Sequence, residues 1–342
     1  MDTENASVAV IGATGYTGRF VVADLLRRGI TPIAIARNAV ALEAANFGKE
    51  IVRRQATVDD RKSLDRALQG ARVVINAAGP FIDTAEPVAS AALRAKIHYI
   101  DVAAEQISTN NLFESFDEPA REAGIVILPA MAFFGGLSDL MATVLTKGWD
   151  VVDSVETFIG FDSWHPTQGT RNTIERKTVG NLVYFRGRLV PAAASPSEKT
   201  WKFAEPVGDQ VVVEIPFSET ILLSRHINTA EHHNYLTQVA IKEVLDASTP
   251  LPKAVDAVGR SAQTFVLDVV VRRGGDERRA STRGRDAYAV TAPLLGEAVE
   301  RLIRNQFACP GAKAPGQVFD AEDFLAALDP DYGTFEITSA IV

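Results

Sequence analysis

The stretch Val10-Ile11-Gly12-Ala13-Thr14-Gly15-Tyr16-Thr17-Gly18 decides how this chain is read. It closes an apolar, β-branched run over residues 7–13 and opens an amphipathic pattern that Gly29 stops. Strand, glycine turn and helix therefore follow one another without a gap. In a Gly-x-x-Gly-x-x-Gly turn each glycine has its own work. Gly12 permits the tight turn, Gly15 lets backbone approach a pyrophosphate, and Gly18 lets the helix pack on the strand. The helix N-terminus then presents free N–H groups and a positive dipole end to phosphate. Thr14, Tyr16 and Thr17 complete the turn as candidate cofactor contacts.

Working outward, apolar runs alternate with helical patterns through residue 146, as in βαβ units. Strands are predicted over 7–13, 31–37, 51–58, 72–78, 97–102 and 124–129, with helices between them and a further helix over 137–146. The second strand selects the cofactor. It ends Ile35-Ala36-Arg37-Asn38, without the acid that bonds a ribose 2′-hydroxyl in NAD sites. Arg37 suits a 2′-phosphate and stacks on adenine, so NADP(H) is expected in preference to NAD(H). The fourth strand ends Asn76-Ala77-Ala78-Gly79-Pro80-Phe81, on the crevice side, where small residues leave room and Asn76 is placed to bond a ribose. The fifth ends at Asp101, with Glu105 beyond. Either acid is a candidate for the nicotinamide ribose or carboxamide, or equally for a helix cap and first-turn acid.

Bulk properties fit this reading. The 342 residues suit two domains. A net charge of -8 with mixed signs lacks the basic footprint of a nucleic-acid binder. The single cysteine, Cys309, excludes an internal disulfide and a cysteine metal cluster. No apolar run approaches the roughly 18–20 residues of a membrane span. The acidic start Met1-Asp2-Thr3-Glu4-Asn5 predicts no signal peptide and a cytoplasmic protein. A small-molecule substrate and a homodimer are the expected partners.

Beyond residue 150 the texture turns to short strands (154–160, 211–215), a Gly274-Gly275 hairpin, and helical patterns over 233–245, 292–304 and 320–328. The expected fold class is α/β. A Rossmann doubly wound parallel sheet (1–130) is followed by an inserted α+β substrate domain on a mostly antiparallel sheet (131–285). A segment over 286–342 returns to the Rossmann domain.

Four stretches together resemble the saccharopine dehydrogenase-like family, in the branch that includes trans-acting enoyl reductases. They are residues 10–18, Val74 to Phe81, His98 to Glu105, and Gly135-Gly136-Leu137-Ser138-Asp139-Leu140. Weaker echoes lie at Asp286 to Ala292 and Phe319 to Leu325. The resemblance implies an NAD(P)-dependent reductase with an inserted substrate domain, and does not imply saccharopine as the substrate.

Reduction of a C=N, C=O or activated C=C bond needs a proton donor beside the hydride acceptor. No tyrosine has lysine four positions on; Arg188 follows Tyr184 and Val239 follows Tyr235. The short-chain dehydrogenase pair is therefore missing. Donor candidates are His226, Tyr235 and His165, with His232 and His233 nearby in sequence. Arg171, Arg225 and Tyr184 are candidate substrate contacts, the arginines because they bind carboxylates. Adjacent His232 and His233 diverge on any element, so no metal is expected. The alternative to a reductase is a protein that binds NADP(H) as a non-catalytic sensor.

Overall fold

A computed structural model of the chain describes residues 6–48, 50–176, 180–328 and 334–340, the last stretch as backbone. Residues 1–5, read above for a leader sequence, lie outside these. The chain divides into two compact units.

The first unit runs to Ala132 and resumes over Thr291–Phe319. Its strands and helices alternate as β1 (Ser7–Ile11), α1 (Tyr16–Arg27), β2 (Thr31–Ala36), α2 (Ala39–Ala44), β3 (Val52–Gln55), α3 (Arg61–Ala67), β4 (Ala71–Asn76), α4 (Phe81–Ala95), β5 (His98–Asp101), α5 (Gln106–Ala123) and β6 (Val126–Leu128). All pairings are parallel. Val8, Ala9, Val10, Val73, Val74 and Ile75 are fully buried, as strands covered on both faces must be.

The second unit supplies α6 (Gly136–Thr146), β7 (Val152–Phe161), α7 (Gln168–Glu175), β8 (Leu182–Phe185), β9 (Arg188–Pro191), β10 (Glu198–Lys202), β11 (Asp209–Glu214), α8 (Ser218–Leu223), β12 (Thr229–Thr237), α9 (Gln238–Leu245), β13 (Thr264–Arg273) and β14 (Asp276–Arg285). The chain then returns to the first unit with α10 (Thr291–Ile303), β15 (Gly311–Ala312) and α11 (Pro315–Val318). It ends in the second unit with α12 (Ala321–Ala326) and β16 (Thr334–Ala340).

The first sheet has the order β15-β6-β5-β4-β1-β2-β3. The order reverses beside β1, where α1 leaves, and a ligand crevice opens at such a switch point. α10 packs on α1 because Gly296 carries no side chain. A Cβ there would overlap the Asp24 carboxylate and the Arg28 guanidinium. That buried pair is tied to α10 through Glu297 and Glu300, each 3.2 Å from Arg28.

The second sheet runs β10-β11-β12-β7-β13-β14-β16, with β8 and β9 attached to β12. Every pairing is antiparallel except β12 with β7. Two expectations are corrected here. Residues 233–237 are strand, not helix, because β12 lies between β11 and β7 and buries His232, Asn234 and Leu236 on one face; sheet packing overrides local pattern. The C-terminal segment does not return as a whole. Residues 286–290 and those beyond Phe319 belong to the second unit, where β16 pairs with β14 and covers an edge that would otherwise stay open.

Candidate functional site

The glycine turn is shaped by contacts only glycine allows. Gly12 has φ +81°, and a Cβ on it would lie 2.8 Å from the Ala77 backbone. A Cβ on Gly18 would overlap the Gly12 carbonyl oxygen, and one on Gly15 would lie 3.1 Å from it. The turn is pinned to both neighbouring strands. The Gly12 and Ala13 N–H groups donate to the Ile35 carbonyl (3.0 and 3.2 Å), and the Ala77 N–H donates to that of Ile11 (2.9 Å). Gly15 caps α1 without a side chain, so no side-chain oxygen at the cap takes the first N–H groups of the helix. Thr14, Tyr16 and Thr17 are half-buried around it. A cradle that side chains would fill, set at a bare helix N-terminus, fits a dinucleotide pyrophosphate.

Arg37 stands exposed at the end of β2, and its guanidinium has no partner among the described residues. Asn38 is different. Its Oδ1 accepts from the Ala41 N–H at 3.1 Å and caps α2.

The loops after β4 and β5 are braced from inside. Asn76 is fully buried, donates from Nδ2 to Thr84 Oγ1 (3.1 Å), and accepts at Oδ1 from the Ala78 N–H (3.2 Å). Asp101 is also fully buried. It accepts from the Ala103 and Ala130 N–H groups (3.0 and 2.8 Å) and from the Tyr99 hydroxyl (2.7 Å). Burial pushes the Asp101 pKa up, against those three donors. Glu105 accepts from the Phe81 N–H at 2.9 Å, so it caps α4 from across the crevice loops. Its pKa too is raised by burial. Asn76, Asp101 and Glu105 thus shape the loops. Ala77, Ala78, Gly79 and Pro80, all half-buried, present backbone and small side chains beside Gly12.

In the second unit the predicted donors do not converge. His226 follows α8, and its Nε2 lies 2.6 Å from Oδ1 of Asp139, a fully buried residue on α6. Burial disfavours the imidazolium, but Asp139 outweighs it and holds the His226 pKa above its ordinary value. Asn234 donates to Thr220 of α8, so even-numbered residues of β12 face that helix and Tyr235 faces away. Tyr235 is a core residue, stacked on Phe158, with Lys199 Nζ 4.0 Å above its ring. His165 is half-buried after β7. Arg171 donates to the carbonyls of Asp246 and Thr249, which accounts for its guanidinium. Arg225 is exposed, and Tyr184 is half-buried on β8, opposite His232. His232 is fully enclosed, and burial drives its pKa down to about 3. His233 bonds Glu214 and Glu231. No group of three or more metal-ligating side chains occurs among the described residues.

Two acids escaped the sequence reading. Asp139 stands in the Gly135–Leu140 stretch, an acid inside an apolar helix face, which is the signal that singles it out. Glu219 is fully buried on α8; burial pushes its pKa up to about 7, against the backbone N–H groups of Gly135 and Glu219 itself.

Residues 8–128 match the family model described as the saccharopine dehydrogenase NADP binding domain. NADP(H) is therefore the cofactor of the first unit. A probable mitochondrial saccharopine dehydrogenase-like oxidoreductase of Arabidopsis thaliana is 23% identical over 51% of this chain and 42% of its own length. A lipid droplet localized protein of Caenorhabditis elegans is 25% identical over 64% of this chain and 58% of its own. The chain thus spans about half the length of these relatives. Among solved structures, apo saccharopine dehydrogenase (L-Glu forming) from Saccharomyces cerevisiae superposes with a TM-score of 0.67. That match covers 97% of this chain and 100% of the yeast chain, at 13% identity, and establishes the fold.

Proposed function

We propose, from a first unit that matches the saccharopine dehydrogenase NADP binding domain, that the chain is an NADPH-dependent reductase of a C=N, C=O or activated C=C bond in a small molecule. The observation that carries this is the glycine cradle beside an exposed Arg37 with no carboxylate partner. Bound NADPH supplies a hydride. The chain must then provide a proton for the partner atom of the acceptor bond.

The His226–Asp139 pair has the chemistry for that step. Asp139 fixes the ring through Nε2 and favours its protonated form. Nδ1 is then left as the group able to release a proton, which would leave neutral imidazole to be reprotonated from water. Tyr235, its ring stacked on Phe158 in an aromatic cluster, is less suited to this role than His226.

The test is NADPH oxidation by the purified protein over a panel of cyclic imines, ketones, aldehydes and enoyl thioesters. Substrate-dependent oxidation with at least one class is expected. NADPH binding without turnover across the panel would favour the sensor reading instead.

A further inference from the structure

β3 runs parallel to β2, and its last residue, Gln55, is the register partner of Ala36. One residue further, the side chain takes over from the ladder. Gln55 Nε2 donates to the main-chain carbonyl of Arg37 at 3.0 Å. On the other flank of Arg37, the side chain of Asn38 holds the Ala41 N–H. The backbone carrying Arg37 is therefore fastened on both sides, while its guanidinium is left exposed.

The neighbouring arginines are disposed otherwise. Arg54 donates to the carbonyls of Ala67 and Gln69 (2.8 and 2.6 Å), at the end of α3. Arg53 donates to those of Ile51 and Gly48 (3.0 and 2.9 Å). Of the three, Arg37 alone lacks a protein partner for its guanidinium among the described residues. The glycine turn is tied to the same strand end, since Gly12 and Ala13 both donate to Ile35.

We infer that Gln55 is a positioning residue for NADPH selectivity, holding Arg37 so that its guanidinium meets the 2′-phosphate. This rests on the reading of Arg37 as the 2′-phosphate ligand. A guanidinium on a fastened backbone loses less freedom when it binds a phosphate. Gln55 contributes nothing to NADH binding by this route, because NADH has no phosphate at that position. The charge of residue 55 matters as well. A carboxylate there cannot donate to the Arg37 carbonyl, and it would draw the guanidinium into an ion pair.

Calorimetric titration of the full chain with NADPH and with NADH tests this, on wild type and on Arg37→Ala, Gln55→Ala and Gln55→Glu. Wild type is expected to prefer NADPH, and Arg37→Ala to lose the preference. In Gln55→Ala the NADPH affinity should fall about three- to tenfold, the value of one hydrogen bond, with NADH affinity unchanged. Gln55→Glu should fall further, towards Arg37→Ala. Equal weakening of both cofactors would reduce Gln55 to a general structural residue and overturn the inference. So would an unchanged NADPH-to-NADH ratio in both Gln55 variants while Arg37→Ala loses it. If Arg37→Ala keeps the preference, the 2′-phosphate assignment itself fails, and the role of Gln55 with it.

Discussion

Asp139 and His226 make a pair whose energetics depend on pH in a definite direction. The folded His226 pKa lies above its unfolded value of about 6.5. Its contribution to stability is therefore complete below that value and is lost as pH rises through the folded pKa. Asp139→Asn removes the carboxylate and leaves burial unopposed. The expected result is a His226 Cε1–H titration displaced to lower pH in NMR spectra. At pH 6 the folded state should also lose about 1.5–3 kcal/mol, the worth of a hydrogen bond between charged groups. The loss should shrink at pH 9. An unmoved His226 titration would show that Asp139 does not control this ring. His232, already neutral by burial, is the internal control. None of this could be read from sequence, because the two residues are 87 positions apart. The same is true of Asp101, whose donor at Ala130 is 29 positions away. From sequence its acid side chain suited a ribose ligand and a helix cap equally, and its burial was not readable there.

Elements were legible where their cause is local. β1, the glycine turn and α1 follow from a continuous run of residues, and the structure reproduces them because Gly15 and Gly18 meet backbone of the turn itself, although Gly12 also meets the distant Ala77. β12 was not legible in the sequence. Its pattern suits a helix, and only flanking strands on both sides make it a strand. β15 is two residues long, too short for any periodicity, and exists because β6 offers an edge. The contact of α10 with α1 is likewise long-range, and Gly296 is its sensitive point. Gly296→Ala forces a methyl against Asp24 and Arg28, two side chains already held by four ion pairs. Overpacking of this kind costs about 1–3 kcal/mol. A urea titration should show a lower midpoint with an unchanged slope. A midpoint equal to wild type would mean that α10 shifts to accept the methyl.

At the scale of the whole chain, the sequence announced two units but misplaced the end. A reader of residues 286–342 sees helices that suit the first unit, and α10 and α11 do join it. What sends the remainder back is the state of β14. Its inner edge pairs with β13 along ten residues, and its outer edge would show unpaired N–H and C=O groups. β16 pairs with seven of its positions, from Glu277 to Arg283. A chain ending at Leu328 lacks that cover. The first unit contains none of the deleted residues, so NADPH affinity should stay within about twofold of wild type, well under one hydrogen bond in energy. The second unit should then present a long edge, partly protected by the charges of Arg278 and Arg283, since Arg279 is paired with the buried Asp268. Light scattering is expected to show self-association that grows with protein concentration and with salt, as screening removes the arginine repulsion. A truncated chain that stays monomeric at high salt would show that those arginines, with no covering strand, suffice to guard the edge.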